Sequence, residues 1–207
     1  MLKRRLCWLV VAFILPILTL GFSSLEFKCS NFSPSSFAQD STDYSKAEAL
    51  KVMKLIERIQ LEQLEKGSGE LRNVVVTESE FNSYVAYRID VEREEVMKEL
   101  RLKFFDDNRV EGKVVVDLRK QKLPKILKPQ MTFFLGGELE IKDGHVRLDL
   151  EELFLGMQRI QPAVLDLVIF LGSKITGEES FSMSDWWILP YGIKDVKTQK
   201  GMATFYY

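Results

Sequence analysis

His145 is the only imidazole in the chain, and it directly follows Asp143-Gly144, a pair that favours a tight turn. A general base there would need a carboxylate to orient it, and Asp143 and Asp149 are close in sequence. The competing reading is an exposed histidine at a hairpin end, and the absence of any G-x-S-x-G nucleophile motif favours it. The acidic pairs Glu94-Glu95, Asp106-Asp107, Glu151-Glu152 and Glu178-Glu179 have the residue types for glycoside or cation chemistry. Each falls at an expected turn, bulge or helix end, where adjacent acids are ordinarily solvated. Cys7 and Cys29 both lie within the first 29 residues, so the rest of the chain can hold neither an internal disulfide nor a cysteine-bound metal. Gly136-Gly137 lies inside an expected strand, where it signals a bend or close packing and not a phosphate loop. The expectation is a protein that is not an enzyme and that uses no metal and no cofactor.

The first 38 residues read as an address. Lys3, Arg4 and Arg5 precede seventeen residues without a charge, Leu6 to Phe22. A basic start followed by an apolar run is the export pattern, and both a cleaved signal peptide and a retained membrane anchor fit this length. Gly21-Phe22-Ser23 and Ser36-Phe37-Ala38 are the two small-residue cleavage candidates. Residues 23 to 45, rich in Ser, Phe, Pro, Asn and Asp, read as a linker, so the division is 1–38 for signal or anchor and 39–207 for one domain. That domain keeps 25 of the 29 Lys and Arg and 29 of the 30 Asp and Glu, a net charge of −4. A mildly acidic domain has no basic surface with which to neutralise phosphates, so nucleic acid is not an expected partner. The expected location is exported, in the periplasm or cell envelope, with residues 6–22 as the candidate anchor.

Periodicity gives the elements. From Ser45 to Lys66 apolar residues recur at three- and four-residue steps (Ala49, Leu50, Met53, Ile56, Ile59, Leu64), which predicts a helix. A strand is expected at 72–76. Thr77 with Glu80 three residues on is a capping-box pattern that opens a second helix. The period then changes to two. Leu100, Leu102 and Phe104 alternate with charged residues, Val110, Gly112, Val114, Val116 and Leu118 keep that parity, and Met131, Phe133, Leu135, Gly137, Leu139 and Ile141 form the clearest strand. The return strand carries Val146, Leu148 and Leu150 and then changes parity at Glu151-Glu152 to Leu153 and Leu155, which predicts a bulge. Residues 161–175 contain an almost unbroken apolar run that predicts a helix buried in protein or set against lipid. The fold class is therefore α+β: a long curled antiparallel sheet, one face apolar, wrapped around one apolar helix, with an additional N-terminal helix.

The surplus of this domain is apolar, and that is where a ligand would sit. Leu102, Phe104, Val114, Val116, Phe133, Leu135, Leu139 and Leu148 from the strands, with Leu165, Val168 and Ile169 from the late helix, would line a cavity able to hold an acyl chain. Burying such a chain is favourable by about 0.8 kcal/mol per CH₂. Trp186 and Trp187 suit its mouth, because indole joins an apolar body to one N–H donor. The basic connection of Arg119, Lys120, Lys122, Lys125 and Lys128 offers head-group contacts, chiefly through Lys122, Lys125 and Lys128. A packed core, ordinary sheet tryptophans and a solvated basic loop are the plainer readings of the same residues.

Three stretches carry a family resemblance: Val76-Thr77-Glu78-Ser79-Glu80-Phe81-Asn82-Ser83-Tyr84, Ile141-Lys142-Asp143-Gly144-His145-Val146 and Leu189-Pro190-Tyr191-Gly192-Ile193-Lys194. They resemble exported bacterial phospholipid-binding proteins of the mycobacterial lipomannan-elongation-maintenance type, over roughly residues 70–207. The resemblance implies a sheet curled around a helix, similar to half of a tubular lipid-binding module, and phospholipid binding in the envelope. It brings no catalytic residues. The long first helix, the basic 119–128 connection and the Trp pair depart from that pattern. The expected partner is thus a lipid or membrane surface, bound without covalent chemistry. The alternative is an envelope structural or adaptor protein that uses helix 45–66 to bind another protein.

Overall fold

A computed structural model describes residues 34–37, 44–66, 71–93, 96–117, 119, 129–161, 163, 170 and 185–207. After a single 3-10 turn, Pro34–Phe37, come helix α1 (Lys46–Lys66), strand β1 (Asn73–Thr77) and helix α2 (Glu78–Val91). The strands β2 (Met97–Phe104), β3 (Arg109–Asp117), β4 (Gln130–Lys142), β5 (His145–Leu155) and β6 (Gln158–Arg159) follow. The short β7 (Trp187–Ile188), a 3-10 turn at Pro190–Gly192, β8 (Asp195–Gln199) and β9 (Met202–Tyr206) complete the chain. The class is α+β, as the change of period in the sequence requires.

Two antiparallel sheets result. The larger runs β2-β3-β4-β5-β6 and curls into a half-barrel, with β7 paired to the start of β5. The smaller has the order β1-β9-β8. Their turns are built from the residues that tolerate them: Asp143 and Gly144 have φ of 50° and 72°, and Asp107 and Asn108 both have φ of 59°. The expected bulge is present. Gly136 faces Glu152 and Gly137 faces Leu150, which leaves Glu151 as the extra residue. At that point the Asp149 carbonyl oxygen comes so near that a Cβ on Gly137 would lie 2.1 Å from it, which explains the glycine.

The capping box opens α2 as its sequence predicts. The Glu80 N–H donates to Thr77 Oγ1 at 3.2 Å, and the Thr77 N–H donates to Glu80 Oε2 at 3.0 Å. One turn on, Asn82 does what a neighbouring strand would do. Its amide accepts from the Leu102 N–H and donates to the Leu102 carbonyl, both at 2.8 Å, while Glu78 Oε2 accepts from the Phe104 N–H at 2.9 Å. The side chains of α2 thereby close the free edge of β2 against further pairing.

Helix α1 lies along α2. Glu48 Oε2 accepts from the Ser79 and Ser83 hydroxyls at 2.8 and 2.9 Å, and Lys51 pairs with Glu80. At its other end Glu62 receives Arg72 at 2.7 Å and the Tyr207 hydroxyl at 3.2 Å, and Arg72 above all holds its carboxyl below the usual range. Ala49, Val52 and Ile59 are buried, whereas Leu50 and Leu64, read above as part of the apolar stripe, are exposed. At 100° per residue they stand well round the helix from the Ala49–Ile56–Ile59 line, and α2 covers only one side. No helix among the described residues is long and apolar enough to cross a membrane. The candidate anchor, residues 6–22, lies outside them, as do both cleavage points except for residues 36 and 37. Of residues 161–175, read as the apolar helix, only Gln161, Ala163 and Phe170 are described, the last two as helical.

Candidate functional site

Alternation along four strands assembles a single apolar face. The register aligns Leu100, Val114, Phe133 and Leu155 in one row, and Leu102, Gly112, Leu135 and Leu153 in the next. Phe104, Val110 and Gly137 follow, and beyond them Leu139 faces Leu148 and Ile141 faces Val146. Of the residues expected to line a site, Leu102, Phe104, Phe133, Leu135, Leu139 and Leu148 are buried together in one core. Val114 and Val116 share their face but are only half-buried. Leu165, Val168 and Ile169 lie outside the described residues, as do Lys122, Lys125 and Lys128.

The two ends of this face differ. Near the 105–108 turn it is closed by α2 and the smaller sheet: Phe81 meets Phe104 edge to face at 5.4 Å, and Val76, Val196, Ala203 and Phe205 belong to the same core. The joint is polar and fully used, since Thr198 donates its N–H to Asn108 and its hydroxyl to the Phe105 carbonyl. At the opposite end Val96, Met97, Val114, Val116, Leu155 and Ile160 pack against the core and remain half-buried while Met131 is buried, and Ile141 and Leu150 near the Asp143-Gly144 turn are half-buried too. The chain leaves this end twice, after Asp117 towards the basic connection and after Ile160 towards the apolar 161–175 segment. Arg119, the one described cation of that connection, folds back on Asp117 with Nη2 2.5 Å from the carboxylate. This hydrogen bond, more than any other effect, holds the Asp117 carboxyl down to about 2.

The tryptophans separate. Trp187 pairs with Val146, shares its apolar side and is 9% exposed. Trp186 is 40% exposed and carries the Arg147 guanidinium 4.8 Å above its ring, while Arg147 also pairs with Glu140. His145 takes the hairpin-end position, where its Nδ1 lies 2.9 Å from the Asp143 carbonyl oxygen and thus meets main chain instead of a carboxylate. Among the described residues no group of three or more His, Cys, Asp and Glu side chains could hold a metal ion.

One cluster escaped the sequence reading. On the outer, charged face Arg109 lies 2.6 Å from Glu151, 3.7 Å from Glu152 and 3.8 Å from Glu111. Glu111 is buried, and burial pushes its carboxyl up, opposed by Arg109 and reinforced by Glu152. Alternation assigns Glu111 to the wet face, and nothing local signals that this part of the face would be covered.

Comparison with protein-family models, curated proteins and solved structures gives no match for this chain. The resemblance stands on its three motifs alone.

Proposed function

We propose that this protein is an exported envelope protein that binds phospholipid or another lipid-linked ligand non-covalently, with the acyl chain between the curled sheet and residues 162–175. One observation supports the reading above the rest: at the end where both the basic and the apolar segments depart, Val96, Met97, Val114, Val116, Leu155 and Ile160 are apolar and only half-buried. In this reading the acyl chain enters past Val114, Val116 and Leu155, and Lys122, Lys125 and Lys128 meet the head group. Partition drives the binding at about 0.8 kcal/mol per CH₂, with no bond made or broken.

The test is native mass spectrometry of the full chain purified from a bacterial host, followed by lipid extraction. Bound acyl lipid in the wild type, lost in a folded Val116→Glu variant, would support the reading. Repeatedly lipid-free protein that also fails to take up a fluorescent phospholipid from vesicles would refute it.

The adaptor reading has an observation of its own, because Leu50, Leu61 and Leu64 are exposed on the side of α1 turned away from α2. Deleting residues 45–66 cannot test it, since α1 carries buried core residues. Leu61→Glu with Leu64→Glu leaves that core intact. Loss of a specific cross-linked partner in this variant, with lipid content unchanged, would favour the adaptor.

A further inference from the structure

Phe37 belongs to a stretch read as linker, yet it is 3% exposed. Its ring centroid lies 5.8 Å from that of Phe134, at an interplanar angle of 48°, and the Lys103 ammonium is 4.9 Å from the Phe37 centroid. Phe134 and Lys103 both point to the outer face of the larger sheet, opposite the apolar core. The register puts Lys103 beside Glu111 and Glu111 beside Gly136, two residues from Phe134. Gly136 is the one position of that row without a side chain. Glu111 in the same row has a side chain only 10% exposed, on a face that also carries Val115, Phe134 and Phe154. Pro34, at the start of the same turn, is buried as well. A cation near the ring and a second aromatic ring at a tilted angle are both favourable partners for a phenyl group.

We propose that Pro34–Phe37 is a strap that docks in cis on the outer face of the sheet, with Phe37 seated between Phe134 and Lys103. The folded domain then starts at or before Pro34. Of the two cleavage candidates, the one after Ala38 would remove the strap and expose the Phe134–Lys103 site. The one at residues 21–23 keeps it. The docking is independent of the lipid reading, and only the statement about cleavage rests on the export reading.

The experiment is a double-mutant cycle in the full chain, with thermal unfolding of wild type, Phe37→Ala, Phe134→Ala and the double variant. The expected result is a loss of about 2–6 °C for Phe37→Ala, and a double variant that loses clearly less than the sum of the two. Strictly additive losses, or no loss for Phe37→Ala, would overturn the strap. Should Phe37→Ala fail to fold, Phe37→Leu, which keeps volume and loses the ring, carries the same cycle. In parallel, the intact mass of the chain after expression in an exporting host gives its first residue. A product starting at or before residue 34 agrees with the strap, and one starting at Gln39 contradicts it. An unprocessed product keeps the strap and instead removes the cleaved-signal reading.

Discussion

The two faces of the larger sheet bury their residues by different means. On the inner face Phe133 is buried because every second residue of four strands is apolar and the register stacks them. On the outer face a residue distant in sequence, Phe37, is buried against Phe134 and Lys103, and Glu111 and Val115 of β3 are buried as well. Burial by pattern is distributed over many contacts, whereas burial by a strap depends on a few. The two faces should therefore differ in what a single substitution costs.

The largest contrast should come from adjacent phenylalanines. Phe133→Ala empties the centre of the core and should cost about 3–5 kcal/mol, while Phe134→Ala on the other face should cost about 1–1.5 kcal/mol. Urea unfolding of the two variants measures both, and equal losses would erase the distinction between the faces. Gly137→Ala comes next. Its Cβ would meet the Asp149 carbonyl at 2.1 Å, so the bulged pairing must shift, at about 2–3 kcal/mol. A shift of backbone NMR signals confined to 135–138 and 148–153 would locate the damage at the bulge. Asn82→Ala touches the edge that both faces share. It strips the Leu102 N–H and carbonyl of their partner and should cost about 1–3 kcal/mol.

The smallest effect is expected at Glu111 and depends on pH. Its folded-state pKa lies above its unfolded value, so the folded chain binds the proton more tightly. The contribution of Glu111 to stability should fall as pH rises from the ordinary glutamate range through its raised folded-state pKa and stay level above it, whereas Glu62, Glu80 and Asp117, whose pKa values are lowered, contribute with the opposite sign at lower pH. Glu111→Gln lacks that fall. Relative to wild type it should gain stability across this window, keep the gain at neutral pH, and lose it again below the ordinary range. Unfolding midpoints between about pH 4 and pH 7 test the sign. A variant less stable than wild type at neutral pH would show that the Arg109 pairing outweighs the burial.

Much of the fold was legible because it follows local rules. The capping box at Thr77 and Glu80, the Asp143-Gly144 turn and the parity change at Glu151-Glu152 each became the feature that their chemistry requires. Leu50 and Leu64 were misplaced because periodicity gives an apolar stripe but not the width of the surface that covers it. The candidate site was legible only in its strand half. Trp186 and Trp187 are neighbours in sequence, yet Trp187 in β7 joins the core while Trp186 just before the strand lies against Arg147.

The sequence by itself determined which strand residues face the core, where the chain turns and where it bulges, since side-chain alternation, left-handed turn residues and capping groups act within a few residues. Tertiary structure alone decided that Asn82 would seal a strand edge twenty residues away, that α1 would lie against α2 and Tyr207, and that Phe37 would cover part of a charged face. Those contacts join groups with no periodic relation to one another, so only the packed chain brings them together.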